Sequence, residues 1–162
     1  LVSASFVDKG DSAAIVTAKG QSIRFKESDI REMGRGAGGV RAMKLGRGDT
    51  VIAALAASKS ATNPSLLIIS ENGYGKKTEL DEYKIQKRGG SGIKTSKVTP
   101  KTGDIMSASL ITDEVEEVVA MSQKSQVIRL DVKEIPSLGR QTQGVRIMKL
   151  REKDKIASLI CF

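Results

Sequence analysis

The amino-acid sequence predicts an all-β protein made of about three four-stranded, propeller-like blades, and three observations carry that expectation. A succession of strand, tight turn, strand and glycine-rich loop occurs three times. Gly39, Gly92 and Gly144 align across the copies at a period of about 53 residues, within the range of repeat architectures. Helical periodicity is weak, and only a stretch such as Ser28 to Met33 reads as a turn of helix. About four short strands per unit is the arrangement of a propeller blade. Three blades cannot close a ring, so the chain is expected to be part of a larger array.

Residues 1–12 are expected to end a preceding blade, with Leu1 to Val7 as its last strand. The first residue is not Met, which points to a piece of a longer chain. Residues 13–57 form the first unit. Ile15 to Thr17 and Ser22 to Phe25 flank a turn at Lys19-Gly20, and Val40 to Leu45 and Val51 to Leu55 supply two more apolar strands. Residues 58–65 read as a polar linker. Residues 66–111 are the second unit, whose turn carries Asn72-Gly73, the strongest short hairpin signal. An acidic linker at 112–117 precedes the third unit, residues 118–162, with its turn at Lys124-Ser125. Each unit runs on to an aspartate (Asp49, Asp104, Asp154) and a final apolar strand.

Charge repeats with the fold. The chain carries a formal net charge of +8, and the three units alone carry +4, +3 and +5. Such a balance favours an acidic partner. Aromatic residues are 3% of the chain and Trp is absent, which argues against single-strand binding through stacking. Duplex binding through phosphates needs no aromatic platform. The absence of His removes the commonest general base and metal ligand. Cys161 is the single cysteine and cannot form an internal disulfide, in keeping with a reducing cytoplasm. No apolar run approaches a membrane span and no signal peptide is visible.

Cations recur at four aligned places. Arg24, Lys77 and Arg129 lie in the second strand of each hairpin, with Lys76 beside them. Arg35, Arg88 and Arg140 lie in the glycine loops, with Lys87 beside them. Arg41, Lys94 and Arg146 directly follow the aligned glycine, and Lys44, Lys97 and Lys149 stand three residues further on. All fourteen are candidate phosphate contacts. From Lys84 to Lys101 there are six cations and no carboxylate, and this stretch holds the loop QKRGGSG. Its glycines at 89, 90 and 92 are expected to turn the backbone sharply and close to a polyanion. Gly34, Gly36 and Gly39 match GxGxxG, but a strand rather than a helix is expected to follow, which excludes a dinucleotide site. The run Asp113, Glu114, Glu116 and Glu117 reads as a solvated loop, and Tyr74 as a packing residue at its hairpin.

These motifs resemble the C-terminal domains of DNA gyrase A subunits over essentially the whole chain. ENGYGKKT, IREMGRGAGGVRAMKL and SLGRQTQGVRIMKL are close to blades of that family. QKRGGSG resembles the family's box, usually QRRGGRG. Gln86, Arg88, Gly89, Gly90 and Gly92 agree, while Lys87 and Ser91 stand where arginine is usual. The resemblance implies a β-pinwheel, a propeller-like disc whose blades exchange strands. It further implies duplex DNA wrapped around a basic rim in support of ATP-dependent negative supercoiling, by a cytoplasmic, chromosome-associated machine. The rest of the gyrase A subunit, together with the gyrase B subunit, would be the partners. ATP and Mg would sit on other domains, with no cofactor here and no small-molecule substrate. In the family the box belongs to the first of about six blades, so its place in the middle copy here opens the reading of a later, degenerate copy. The alternatives are the related topoisomerase IV A-subunit domain, which usually lacks a clear box, a chromosome-condensation-regulator propeller, and a propeller that binds proteins only.

Overall fold

A computed structural model describes all 162 residues. Each unit opens with an antiparallel hairpin: β1 (Ser12–Thr17) with β2 (Gln21–Lys26), β4 (Ser65–Ser70) with β5 (Tyr74–Glu79), and β8 (Glu117–Ser122) with β9 (Val127–Asp131). The three turns fall where the sequence predicts them. In each, the amide of the last turn residue (Gly20, Gly73 or Ser125) donates to the carbonyl three positions back, at 3.1, 3.0 and 3.1 Å. Those residues stand at φ +81°, +79° and +60°, a region that glycine enters freely and serine rarely. The third strand of each sheet, β3 (Val51–Ala57), β7 (Ile105–Ile111) or β11 (Ile156–Cys161), pairs with the first strand of its hairpin.

The fourth strand comes from the following unit. β6 (Ile93–Lys94) pairs with β2, setting Lys94 opposite Gln21 and Ile93 opposite Ser22. β10 (Val145–Arg146) pairs with β5, setting Arg146 opposite Tyr74 and Val145 opposite Gly75. The sheets therefore run β3-β1-β2-β6, β7-β4-β5-β10 and β11-β8-β9, the last with three strands. A blade in space is not a repeat in sequence.

This exchange corrects several expectations. Val40 to Leu45 form no strand: the aligned segments pair with the hairpin of the preceding unit, and residues 1–11 form no hairpin for them to join. Leu1 to Val7 also form no strand; nothing pairs with them, and Leu1 and Phe6 lie in solvent. The expected linkers give up Ser65 to β4 and Glu117 to β8. The helical turn sits earlier than expected, at Glu27–Asp29, and repeats as 3-10 turns at Leu80–Glu82 and Val132–Glu134.

Most of the core lies between blades, while Ile15, Ile23, Phe25 and Met43 cluster within the first unit. β1 and β4 are apolar almost throughout because both of their faces are covered. Val16 and Ala53 of the first blade pack with Leu66, Ile68, Leu80, Tyr83 and Ile105 of the second unit. Leu67 and Ile111 pack with Val118, Val132 and Ile135 of the third, and Ile69 with Ala120, Met148 and Ile156. Each fully buried aliphatic side chain contributes about 1.5–3 kcal/mol, so adjacent blades stabilise one another. β3 packs on β7 and β7 on β11 along the inner side, which leaves β6 and β10 at the outer edge.

Candidate nucleic-acid interface

The glycine loops lay the outer strands across the preceding blade. Gly92 and Gly144 sit at φ +73° and +82°. A β-carbon on Gly92 would lie 2.4 Å from the carbonyl oxygen of Ser22, and one on Gly144 would lie 2.5 Å from that of Gly75. The amides of Thr95 and Ser96 then donate to the Gly20 carbonyl at 2.8 and 3.3 Å, and those of Ile147 and Met148 to Gly73 at 2.8 and 3.1 Å. Backbone meets backbone at these points, and the cations that follow are left at the edge. Lys94, Lys97, Arg146 and Lys149 are all exposed, as are Arg41 and Lys44 in the first unit. None of the six lies within ion-pair distance of a carboxylate.

The other two aligned sets hold the blades together. Arg24 Nε donates to Ser12 Oγ at 2.9 Å and its Nη1 to the carbonyl of Leu80 at 3.0 Å. Lys77 Nζ donates to the carbonyl of Val132 at 2.7 Å. Leu80 and Val132 are aligned, each opening the 3-10 turn of the next unit. Burial lowers the pKa of both cations. Arg129, in the last of the three units, pairs with Glu117. Among the loop arginines, Arg88 Nε donates to the Asp29 carbonyl at 2.8 Å and its Nη1 to that of Arg41 at 3.1 Å. Arg140 Nη1 donates to the carbonyl of Lys94, the residue aligned with Arg41, at 3.0 Å. Its Nε lies 3.8 Å from Glu82. Arg35 is exposed and has no such acceptor.

Lys76 corrects the sequence reading most sharply. It is fully buried, with Nζ donating to the carbonyls of Gly139 and Arg140 at 2.6 and 2.8 Å. Desolvation lowers its pKa to about 8. A side chain enclosed in this way cannot reach an external phosphate.

The box-like loop is likewise docked inward. The amide of Gln86 donates to the Arg24 carbonyl, that of Gly89 to Ala42, and the carbonyl of Gly90 accepts from Lys44. Gly89 has φ +85°, whereas Gly90, expected to share that region, does not. Of QKRGGSG, Lys87, Gly90 and Ser91 stand exposed, and Arg88 is half-buried.

A basic cavity of about 660 Å³ lies between the second hairpin and the third unit's loop, lined by Lys101, Arg146, Lys149, Arg151, Lys153 and Lys155 around Tyr74. Arg146 Nη2 donates to the Tyr74 hydroxyl at 3.0 Å and lowers its pKa. Arg146 and Lys101 flank the ring at 5.5 and 5.3 Å from its centre. Sequence reasoning left Lys101, Arg151, Lys153 and Lys155 out of the contact set because none recurs in all three units; the signals present were the carboxylate-free run that ends at Lys101 and the local cation density of REKDK. A second cavity of about 670 Å³ is acidic, with Glu79, Asp81, Asp113, Glu116, Glu117 and Asp131 in its lining. Among these carboxylates and elsewhere, no cluster suited to a metal ion is assembled. No helix is long and apolar enough to cross a membrane.

Hairpin blades completed by the next unit's strand, with unpaired cations along that outer edge, define a strand-exchanged propeller with a basic rim. The family model described as the DNA gyrase C-terminal domain, a beta-propeller, matches residues 11–58, 64–112 and 116–162. The chain belongs to this family. It is 41% identical over 150 residues to the DNA gyrase A subunit of Lawsonia intracellularis, covering 93% of this chain. It is 38% identical over 159 residues to the Staphylococcus epidermidis protein of the same name, covering 98%. The chain spans 18% of the length of either relative. Among solved structures, a DNA gyrase A C-terminal domain superposes with a TM-score of 0.85 at 30% identity, over 95% of this chain and 51% of that one. The C-terminal domain of a DNA topoisomerase IV shares the fold, with a TM-score of 0.85 at 21% identity, over 94% and 46%.

Proposed function

We propose that this chain binds duplex DNA along the outer edge of its blades and bends it, as the DNA-wrapping part of a gyrase A subunit. One observation carries the reading. Arg41, Lys94 and Arg146, with Lys44, Lys97 and Lys149, repeat at aligned sequence positions in all three units, exposed and without an ion pair, and in the second and third units they stand on or just after the outer strand. A track of this kind meets phosphates at intervals and reads no bases, so binding depends on charge and on the ease of bending the duplex. Arg35, Lys87 and the cations around Tyr74 extend the track. Arg24, Lys76, Lys77, Arg88 and Arg140 serve the junctions and leave the contact set, and Arg129, paired with Glu117 inside its own unit, leaves it too.

In the whole enzyme, bending would present a second DNA segment to the cleavage centre. It would support ATP-dependent negative supercoiling by the complete A and B subunits of gyrase, in the cytoplasm and on the chromosome. Identity to gyrase A subunits at 38–41% supports this over topoisomerase IV, where the likeness is one of fold. The test is titration of the chain with two unrelated duplexes across a salt series, together with ligation of nicked circles in its presence. Binding indifferent to sequence, with a steep salt slope and a shift in linking number, is expected. A flat salt response excludes the phosphate track, and an unchanged linking number excludes wrapping.

A further inference from the structure

Arg146 stands opposite Tyr74 where β10 crosses β5, as Lys94 stands opposite Gln21 where β6 crosses β2. The two pairs differ in kind. Tyr74 holds its arginine: Nη2 donates to the phenol oxygen at 3.0 Å, and the guanidinium lies 5.5 Å from the ring centre. The remaining N–H groups of that guanidinium stay free for another acceptor. A phenol is a donor as well as an acceptor, and among the hydrogen bonds of the chain this one only accepts.

The loops around the pair are fixed to the second hairpin. Asn72 Nδ2 donates to the Lys101 carbonyl at 3.0 Å, and the Ile156 amide to that of Glu71 at 2.8 Å. Every wall of the cavity comes from the second and third units. Lys101, Arg146, Lys149, Arg151 and Lys153 line it without an ion pair, whereas Lys155 is taken by Glu71 at 3.2 Å. The one carboxylate in the lining, Asp154, is engaged by Ser122 and by the amides of Lys124 and Lys155. The matching cavity of the first blade is smaller, about 400 Å³. There Asp104 takes Lys19 at 2.7 Å, which leaves Lys44 and Arg47.

We propose, resting on the DNA-binding reading above, that the cavity at Tyr74 is a phosphate pocket, in which Tyr74 orients Arg146 and joins it on one phosphodiester of the bound duplex. A phosphate oxygen can accept from the phenol O–H and the guanidinium together, with Lys101 beside them, a charge-assisted pattern. The pocket makes the junction of the second and third units an anchor point on the basic track. The first blade, with Gln21 in place of the tyrosine, offers no such grip.

The chain has two tyrosines and no tryptophan, so NMR of ring-labelled tyrosine reads the pocket directly. Tyr83 is buried, with its hydroxyl 2.6 Å from Thr95 Oγ1, and serves as the internal control. Adding a short duplex should shift the Tyr74 signal and leave that of Tyr83 in place. Tyr74→Phe should keep the Tyr83 signal unmoved and weaken duplex affinity about three- to tenfold, as loss of one hydrogen bond does. In an Arg146→Ala background the same change should cost less than about twofold, because a phosphate not drawn in by the guanidinium is out of the phenol's reach. A duplex that binds without moving Tyr74 overturns the pocket and leaves the DNA reading standing. Equal losses from Tyr74→Phe in both backgrounds do the same. Absence of any duplex binding overturns the DNA reading, and the pocket's part in it. A Tyr74 signal moved by tripolyphosphate but not by duplex would also overturn the proposal, giving the pocket to free polyphosphates.

Discussion

The ammonium group of Lys77 donates a 2.7 Å hydrogen bond to the backbone carbonyl of Val132 in the next blade. Arg24 makes the aligned bond to Leu80 at 3.0 Å. A cation that looks like a phosphate ligand in sequence is therefore a tie between blades. Lys77→Met keeps most of the aliphatic stem and removes the donor. It should lower stability by about 1–3 kcal/mol, the usual cost of losing a charge-assisted bond to a buried carbonyl. Affinity for duplex DNA should stay within about twofold. Chemical denaturation and a binding titration on one preparation check both halves, and weakened DNA binding at unchanged stability would return Lys77 to the contact set.

Rim cations should behave in the opposite way. Lys94, Lys97 and Lys149 are exposed and make no ion pair. Replacing each by Ala should change stability by no more than about 0.5 kcal/mol. The triple variant should bind duplex more weakly, and its log–log salt slope should fall by about 0.9 for each phosphate no longer neutralised. An unchanged slope would place the DNA path on another edge.

Within the box-like loop the two neighbouring cations divide these roles. Lys87 is exposed, whereas Arg88 joins Asp29 to Arg41 through two carbonyls. Lys87→Ala should weaken DNA binding and leave melting alone; Arg88→Ala should lower the melting temperature. Gly92→Ala should be the most disruptive change, since its new methyl would meet the Ser22 carbonyl at 2.4 Å. Thermal melting of the three variants ranks them, and equal melting of Arg88→Ala and wild type would leave the junction role without support.

Much of the fold was legible because its determinants are local. The turns at Lys19-Gly20, Asn72-Gly73 and Lys124-Ser125 follow from a two-strand pattern and a residue able to take positive φ. The pairing of Lys94 with Gln21 was not legible from the residues themselves, because a strand at an outer edge looks the same whichever unit it joins. That one ambiguity accounts for the misplaced strand at Val40 to Leu45. The candidate site was half legible for a related reason. Periodicity marks Arg24 and Lys94 equally as repeated cations, and only burial separates the one tied to Leu80 from the one left in solvent. Lys76 carried a warning of its own, since the aligned residues Ile23 and Ile128 are apolar.

Lys76 makes stability depend on alkaline pH in a direction that can be worked out in advance. Burial lowers its folded pKa from 10.5 to about 8. Between those values the unfolded chain holds the proton and the folded chain has released it. The unfolded state then binds more protons, so stability rises with pH across that window and the effect is absent below about pH 8. The neutral amine still donates to Gly139 and Arg140, whose loop it anchors. Lys76→Met lacks the titration and both bonds. The melting temperature of wild type minus that of Lys76→Met should therefore be level from pH 6 to about 7.5 and climb as pH approaches 10. A difference that stays constant, or falls, over this range would mean that Lys76 keeps its charge in the folded chain, held by the two carbonyls strongly enough to offset its burial.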